Sequence, residues 1–262
     1  MTRLYTVREG QGPLVVLSHA LGCDLHMWDE VAALLREDHT VLRYDHRNHG
    51  RSELVAGPFT IETLAGDAAA LIEREAGGNP VHFVGLSMGG MTAQALAVAH
   101  PELLASLTIA NSSAWYPDQT PWQARVQTVQ AQGIAGIADG AVARWLTPGF
   151  VGTPDGAAAA AKLRSALLAS DAAGYIASCE AVGAIDFRAS NRRIRVPTLV
   201  IAGTQDEATP LAMSQQIAEA IEGAQLVTID AAHISAVERP GDFVRLLRAF
   251  LVTPPDPARP QG

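Results

Sequence analysis

One serine in the chain has the sequence context of an activated nucleophile. Ser87 is the centre of Gly-Leu-Ser-Met-Gly at residues 85–89, which follows the apolar run 81–84 and opens a helical pattern that runs to His100. Glycines on both sides of the serine let the backbones pass closely, and a strand-to-helix turn points the hydroxyl out over the end of a sheet. The helix N-terminus also favours a developing anion. We therefore predict that Ser87 is a nucleophile; the alternative is a surface serine in a glycine-rich connection.

A histidine late in the chain is the candidate base for this serine, because a hydroxyl is a poor nucleophile until a base takes its proton. His233 lies in a short Ala-Ala-His-Ile segment, between a predicted strand that ends at Ile229 and the last predicted helix. Of the eight histidines, it is the one whose position fits the order serine, acid, histidine along the chain. Three others, His19, His46 and His49, lie at the ends of predicted strands.

An acid must hold the imidazole of the base in the correct tautomer and stabilise its charge. Asp206 follows the predicted strand 198–202 by the short loop Gly-Thr-Gln-Asp, so we expect it at the same sheet edge as the serine and the histidine. Glu207 is the fallback acid. The alternative role for Asp206 is to cap the helix that starts near Pro210.

Two backbone N–H groups are predicted to bind the oxyanion that forms when a serine attacks a carbonyl group. In a turn of this kind, the first belongs to the residue after the nucleophile, Met88, and the second comes from the loop after the first central strand. That loop is Ser-His-Ala-Leu-Gly at residues 18–22, and we select Leu21 as the second donor.

Alternating apolar runs and amphipathic segments predict the elements that position these residues. Short apolar runs such as 14–18 are typical of strands buried on both faces, and segments such as 61–75 have helical periodicity. The alternation predicts an α/β fold with a mostly parallel twisted sheet and helices on both faces. From about Trp115 to Phe187 the strands stop, and we interpret this alanine-rich helical stretch as a cap over the strand ends, where ligands bind. The predicted divisions are a first core part at 1–114, a helical cap at 115–190, a second core part at 191–252 and a disordered tail at 253–262.

Composition narrows the class of function. The 262 residues are 48% hydrophobic and 18% charged, and the formal net charge is −8, which argues against a nucleic-acid binder. The sequence contains no run of about 18 apolar residues and therefore predicts no membrane span. The N-terminus lacks the apolar region of a signal peptide. The chain has 2 cysteines, too few for a cysteine-rich metal site or a disulfide scaffold. We therefore expect a cytoplasmic protein.

With the serine, the acid and the histidine in this order, the sequence resembles the α/β-hydrolase fold superfamily along essentially its whole length. Residues 44–52, Tyr-Asp-His-Arg-Asn-His-Gly-Arg-Ser, are similar to the family's Asp-x-Arg-Gly-x-Gly-x-Ser turn, with Asn48 in place of a glycine. Asparagine tolerates a positive φ, so we expect the turn to be kept. His46 and His49 are then turn residues rather than metal ligands.

Within that superfamily, the sequence is most similar to 3-oxoadipate enol-lactonases. The segments that carry this resemblance are 17–22, 27–28, 41–45, 85–91, 143–148, 174–179, 195–203 and 232–235. The resemblance implies a small carboxylated enol-lactone as the substrate, with attack by Ser87 on the ring carbonyl and an acyl-enzyme intermediate. It also implies that no metal or organic cofactor takes part.

A carboxylated substrate requires a cation in the pocket, because an unpaired buried carboxylate is costly. Arg144, beside Trp145 in the predicted cap, is the candidate, since arginine binds carboxylates through two parallel hydrogen bonds. The alternative is a solvent-facing arginine. Trp115, Trp122, Trp145 and Tyr175 are candidate walls of the pocket, and ordinary packing within the cap is the alternative for each.

The sequence does not exclude several other functions. A serine nucleophile excludes the relatives of this fold that use an aspartate, the haloalkane dehalogenases and epoxide hydrolases. A broad-specificity carboxylesterase, a hydrolase of carbon–carbon bonds and a ligand receptor on the same fold remain, because fold alone does not separate them. The intact set of Ser87, Asp206 and His233 favours an enzyme that acts on a small-molecule ester or lactone.

Overall fold

A mostly parallel sheet forms the centre of the protein. The computed structural model describes residues 2–251, and these include seven strands in one sheet. The strands are β1 (Thr6–Gly10), β2 (Leu14–Ser18), β3 (Thr40–Tyr44), β4 (Val81–Leu86), β5 (Leu104–Ala110), β6 (Thr198–Gly203) and β7 (Gln225–Ile229). They pair in the order β1-β3-β2-β4-β5-β6-β7, with β1 antiparallel to β3 and each other pair parallel.

Helices cover both faces of the sheet, which explains why its central strands are buried along most of their length. Among the described residues, every helix is too short or too polar to cross a bilayer. The helices are α1 (Asp29–Leu35), α2 (Ile61–Glu75), α3 (Met88–Ala99), α4 (Thr120–Gln132), α5 (Ala135–Trp145), α6 (Pro148–Val151), α7 (Pro154–Leu168), α8 (Ala172–Gly183), α9 (Leu211–Ala220), α10 (Ser235–Glu238) and α11 (Pro240–Leu251).

The predicted α/β fold class is confirmed, and one strand was missed. The core strands and helices expected from apolar periodicity are present, and α2, β7 and α11 have the predicted bounds. β1 was not predicted, because its sequence, Thr-Val-Arg-Glu-Gly, has no continuous apolar run. This strand lies at the edge of the sheet and pairs only with β3, and edge strands commonly carry charged side chains.

Between β5 and β6 the chain forms α4–α8 and, apart from one isolated bridge, no strand pairing within 115–190. We refer to residues 115–190 as the cap region. It packs on the loops at the C-terminal edge of the sheet: a Cβ on Gly22, after β2, would lie 3.1 Å from Tyr175 of α8. The division into core and cap stays a proposal, and the predicted tail at 253–262 lies outside the described residues.

Three buried histidines lie in or beside the loop that follows β2. The ring centroids of His19, His46 and His49 are 4.6 to 6.3 Å apart, and each residue is at most 2% exposed. His49 Nε2 accepts the Gly22 N–H at 3.2 Å, and His19 Nε2 accepts the backbone N–H of His46 at 3.0 Å. Both Nε2 atoms are therefore unprotonated, and the neutral rings hold the loop.

Burial keeps these rings uncharged. It lowers the pKa of His19 to about 4 and that of His49 to about 3. It also lowers the pKa of His46 well below its ordinary value, and repulsion from the other two rings adds to the effect. In the unfolded chain these side chains titrate near pH 6.5. The unfolded state therefore binds more protons than the folded state below that pH, and stability falls as the pH is lowered from about 6.5 toward 4.

We expect the free energy of unfolding to fall between about pH 7 and about pH 4.5 with a contribution of up to three protons from this cluster. His49→Gln keeps an oxygen that can accept the Gly22 N–H but never takes a charge, so it should reduce the slope by about one proton. Urea unfolding at several pH values measures the slope. Replacement of the exposed His26 by glutamine is the control. An equal slope in His49→Gln and the wild type would contradict the assignment.

Candidate active site

Ser87 lies at the turn between β4 and α3 in a strained backbone conformation. Its φ is 58° and its ψ is −115°, a combination that residues with a side chain rarely adopt. Glycines make the turn possible. A Cβ on Gly85 would lie 2.0 Å from the Gly89 carbonyl oxygen, and a Cβ on Gly89 would lie 2.1 Å from the Ser18 carbonyl oxygen. The glycine pattern seen in the sequence is therefore required by close backbone contacts.

The predicted serine, histidine and acid form one hydrogen-bonded chain. Ser87 Oγ lies 2.9 Å from His233 Nε2, and His233 Nδ1 lies 2.9 Å from Asp206 Oδ2. A carboxylate only accepts, so Nδ1 carries the imidazole proton and Nε2 accepts the serine hydroxyl. Ser87, Asp206 and His233 are 9%, 6% and 4% exposed. This arrangement can take the proton from Ser87 as its oxygen attacks.

The Asp206 carboxylate is kept ionised although it is buried. Burial by itself raises the pKa of this carboxyl, but the charge of His233 and hydrogen bonds from Thr209 and Asn111 lower the pKa to about 2. The N–H and the hydroxyl of Thr209 donate at 2.9 and 2.8 Å. These bonds close the turn before α9. Asp206 therefore stabilises this turn and contacts the histidine at the same time. The fallback acid, Glu207, is exposed.

A polar residue that was not predicted connects the acid to the histidine loop. Asn111 directly follows β5 with a φ of 46° and is fully buried. Its amide nitrogen donates to Asp206 Oδ2 at 3.0 Å and to the Ala232 carbonyl at 3.2 Å, and its amide oxygen accepts the Ser235 hydroxyl at 2.6 Å. The sequence feature that could have indicated Asn111 is a polar side chain directly after a buried strand, at the sheet edge where ligands bind.

The two predicted oxyanion donors lie on adjacent loops. Neither the Leu21 N–H nor the Met88 N–H has a hydrogen-bond acceptor within residues 2–251. The next N–H in the first loop, that of Gly22, is already bound to His49. Leu21 is 6% exposed and Met88 is fully buried, so both N–H groups are shielded from bulk water. Backbone donors in such surroundings can bind a developing oxyanion strongly.

Two of the four predicted aromatic wall residues lie against the Leu21 loop. A Cβ on Gly22 would lie 3.1 Å from the Tyr175 ring and 3.7 Å from the Trp145 ring. Trp115 instead stacks with an arginine side chain of the cap region, and Trp122 packs against α8. The pocket role of these last two residues stays a prediction.

Two arginines of the cap region lie near Tyr175. Neither Arg144 nor Arg125 forms an ion pair with any of the described residues. Arg144 is exposed, as in the solvent-facing alternative. Partial desolvation and the charge of Arg125 lower its pKa, and Tyr175 and Glu207 oppose this. The buried Tyr175 hydroxyl has no hydrogen bond of normal geometry in the described structure, although Arg125 and the Cys179 thiol are polar neighbours. Arg125 was missed because nothing distinguishes it in sequence from a solvent-facing helix residue.

Metal ligation has no visible basis in the described part of the chain. No group of three or more histidine, cysteine, aspartate or glutamate side chains there could hold a metal ion. The nitrogen atoms of His19 and His49 are used in hydrogen bonds to the protein.

Comparison with known proteins identifies the family. The model of the α/β hydrolase fold family matches residues 13–240. The chain is 37% identical to 3-oxoadipate enol-lactonase 2 of Acinetobacter baylyi over 246 residues, which cover 94% of this chain and 91% of that protein. It is also similar to the crystal structure of the enol-lactonase from Burkholderia xenovorans LB400, with a TM-score of 0.91, 37% identity and coverage of 96% and 97% of the two chains. A thermophilic esterase from Thermogutta terrifontis matches with a TM-score of 0.89, 25% identity and coverage of 96% and 93%. The resemblance predicted from the sequence is confirmed, and the chain belongs to the α/β hydrolase fold family.

Proposed function

We propose that this protein is a serine hydrolase that cleaves a small carboxylic ester or lactone through an acyl-enzyme. The observation that carries the proposal is the hydrogen-bonded chain from Ser87 through His233 to Asp206 at the C-terminal edge of the sheet. The N–H groups of Leu21 and Met88, without acceptors among the described residues, support it. Relatives named as enol-lactonases and as an esterase support the same class of chemistry.

Acylation begins when Ser87 Oγ attacks the carbonyl carbon of the substrate and His233 Nε2 takes the hydroxyl proton. The charge that forms on the carbonyl oxygen is bound by the N–H groups of Leu21 and Met88. The carbon–oxygen bond to the leaving group then breaks, and His233 returns the proton to the leaving group. In an enol-lactone this group is an enolate tethered to the acyl chain, so the ring opens without releasing a product.

Deacylation repeats these steps with water as the nucleophile. His233 takes a proton from the water as its oxygen attacks the acyl-enzyme carbonyl, and the same proton then returns to Ser87 Oγ. The ester bond to the serine breaks and the acid leaves. Asp206 keeps the imidazole in the required tautomer and stabilises its positive charge in both halves of the reaction.

We propose a carboxylated enol-lactone of the 3-oxoadipate type as the substrate. The support from sequence is 37% and 32% identity to two 3-oxoadipate enol-lactonases of Acinetobacter baylyi. The support from the structure is a group of Arg125, Arg144 and the Tyr175 hydroxyl, which can donate to a carboxylate through charge-assisted hydrogen bonds. The Tyr175 ring packs against Gly22, next to the proposed oxyanion donor Leu21, which supports a position of this group near the reacting carbonyl.

The proposal also covers cofactors and the cellular location. The chemistry requires no metal or organic cofactor, because His233 serves as the base and backbone N–H groups bind the oxyanion. Both cysteines are unpaired and buried. Unpaired thiols are typical of reducing compartments, which supports a cytoplasmic location.

Ser87→Ala removes the attacking oxygen and should lower kcat for both a p-nitrophenyl ester and the enol-lactone by about 10⁴-fold or more. A fluorophosphonate probe should add its mass to the wild type and not to the variant. Ser165→Ala, at an exposed position of α7, is the control and should keep full activity. Activity retained by Ser87→Ala would refute the nucleophile assignment, and a wild type that turns over neither substrate would favour the receptor alternative.

Arg125→Gln and Arg144→Gln should each lower kcat/KM for the carboxylated enol-lactone by about 10- to 100-fold, because each removes a charge-assisted hydrogen bond. The neutral methyl ester of the same lactone should be affected little. Side-by-side kcat/KM measurements provide the comparison, with Arg164→Gln, an arginine of the cap region paired with Asp139, as the control. Equal losses on both substrates, or a wild-type preference for the neutral ester, would contradict this pocket and favour a broad-specificity carboxylesterase.

A further inference from the structure

Glu238 is a buried carboxylate that joins the cap region to the loop of His233. It ends the short helix α10 and is 4% exposed. Its Oε2 accepts the N–H groups of Thr147 and Ala232 at 3.1 Å each, and its Oε1 accepts the Thr147 hydroxyl. A buried carboxylate loses its water and must be compensated by donors. Within the described structure, these three donors belong to two different parts of the chain.

Residues on both sides of His233 are bound to one short piece of the cap region. The residue before it donates its N–H to Glu238, which also holds Thr147. The residue after it, Ile234, donates its N–H directly to the Trp145 carbonyl at 2.9 Å. Trp145 is the last residue of α5 and Thr147 follows shortly after it. The backbone of the histidine loop is therefore attached to the end of a cap helix.

A cavity lies at the junction between the cap region and the core, next to these bonds. The bonds therefore contribute more to the attachment of the cap region there. A cavity of about 810 Å³ separates α7 from α1, and its lining includes Glu238, Phe150 and Leu163. An ion pair between Lys162 and Asp29 crosses this junction, but half of the lysine side chain is exposed, and such pairs contribute little. The buried polar contacts of Glu238 therefore hold the cap region beside this cavity.

We propose that Glu238 is a positioning residue that couples the place of the cap region to the alignment of the His233 imidazole. The inference rests on the proposed function in that it takes His233 as the base. The histidine loop is held from the core by Asn111, which donates to the Ala232 carbonyl, and from the cap side by Glu238, which accepts the Ala232 N–H. The position of the end of α5 therefore bears on the alignment of the imidazole with Ser87.

Thr147→Val tests the coupling from the cap side, because it removes the hydroxyl that binds Glu238. Thr147 itself contacts neither the serine nor the histidine of the site. We expect kcat for a p-nitrophenyl ester to fall about five- to tenfold, with KM changed less than about twofold. Thr147→Ser keeps the hydroxyl and should restore kcat. Lys162→Met breaks the neighbouring ion pair between cap and core and, as the matched control, should leave kcat unchanged.

Glu238→Ala removes the bonds of the carboxylate to Ala232 and to Thr147, leaves the direct bond from Ile234 to Trp145, and should lower kcat by about 30-fold or more. Glu238→Gln keeps an oxygen toward the two N–H groups and turns its NH₂ toward the Thr147 hydroxyl, so it should retain at least about a third of kcat. The downfield proton NMR signal of His233 Nδ1–H, which reports its bond to Asp206, is a readout independent of turnover. We expect this signal to broaden in Glu238→Ala and Thr147→Val and to persist in Glu238→Gln and Lys162→Met.

The outcomes separate the positioning role from the proposed function. If Thr147→Val and Glu238→Ala are folded in urea-unfolding measurements yet keep the wild-type kcat and NMR signal, the positioning role is refuted and the proposed function stands. If Ser87→Ala stays active, the proposed function fails, and the NMR signal still shows whether Glu238 aligns His233. If Glu238→Ala does not fold, Thr147→Val decides the question.

Discussion

The contact between a buried carboxylate and an imidazole, Asp206 with His233, is the interaction on which the rest of the site depends. A charge removed from water is costly, and here hydrogen bonds from Thr209 and Asn111 and the histidine itself keep the carboxyl pKa at about 2. These partners lie in the segments that follow the ends of β5, β6 and β7. The parallel order of the strands brings those ends to one edge, so the sheet topology is what makes this charge tolerable.

Close backbone contacts place the histidine loop beside that carboxylate. A Cβ on Gly203, the last residue of β6, would lie 2.6 Å from the carbonyl oxygens of Ala231 and Ala232 and 2.8 Å from Asn111 Nδ2. The loop of His233 therefore crosses the end of β6 at a distance that no side chain permits. The same principle operates at the serine turn, where glycines allow α3 to begin directly beside the loop after β2.

Features that depend on local spacing were predictable from the sequence, and those that depend on distant partners were not. The turn around Ser87 and the core helices follow from patterns within a few residues. Asn111 and Glu238 were not predicted, because their partners lie up to 124 residues away and only the folded chain brings them together. Arg125 has the same sequence context as a solvated helix arginine, and β1 lacks an apolar run because it forms the edge of the sheet.

Gly22 has no side chain, and this has a consequence for how the sequence around it can change. The oxyanion loop presents no side chain of its own there, and Leu167, Trp145 and Tyr175 from three cap segments fill the space instead. A change of the side chains around Gly22 thus needs exchanges only in helices that are inserted between two strands, while the strained turn and the hydrogen-bonded chain of Ser87, His233 and Asp206 stay unchanged. Substitutions there can change the shape of the space beside this loop in small steps, without exchange of the residues that form the turn and the hydrogen-bonded chain.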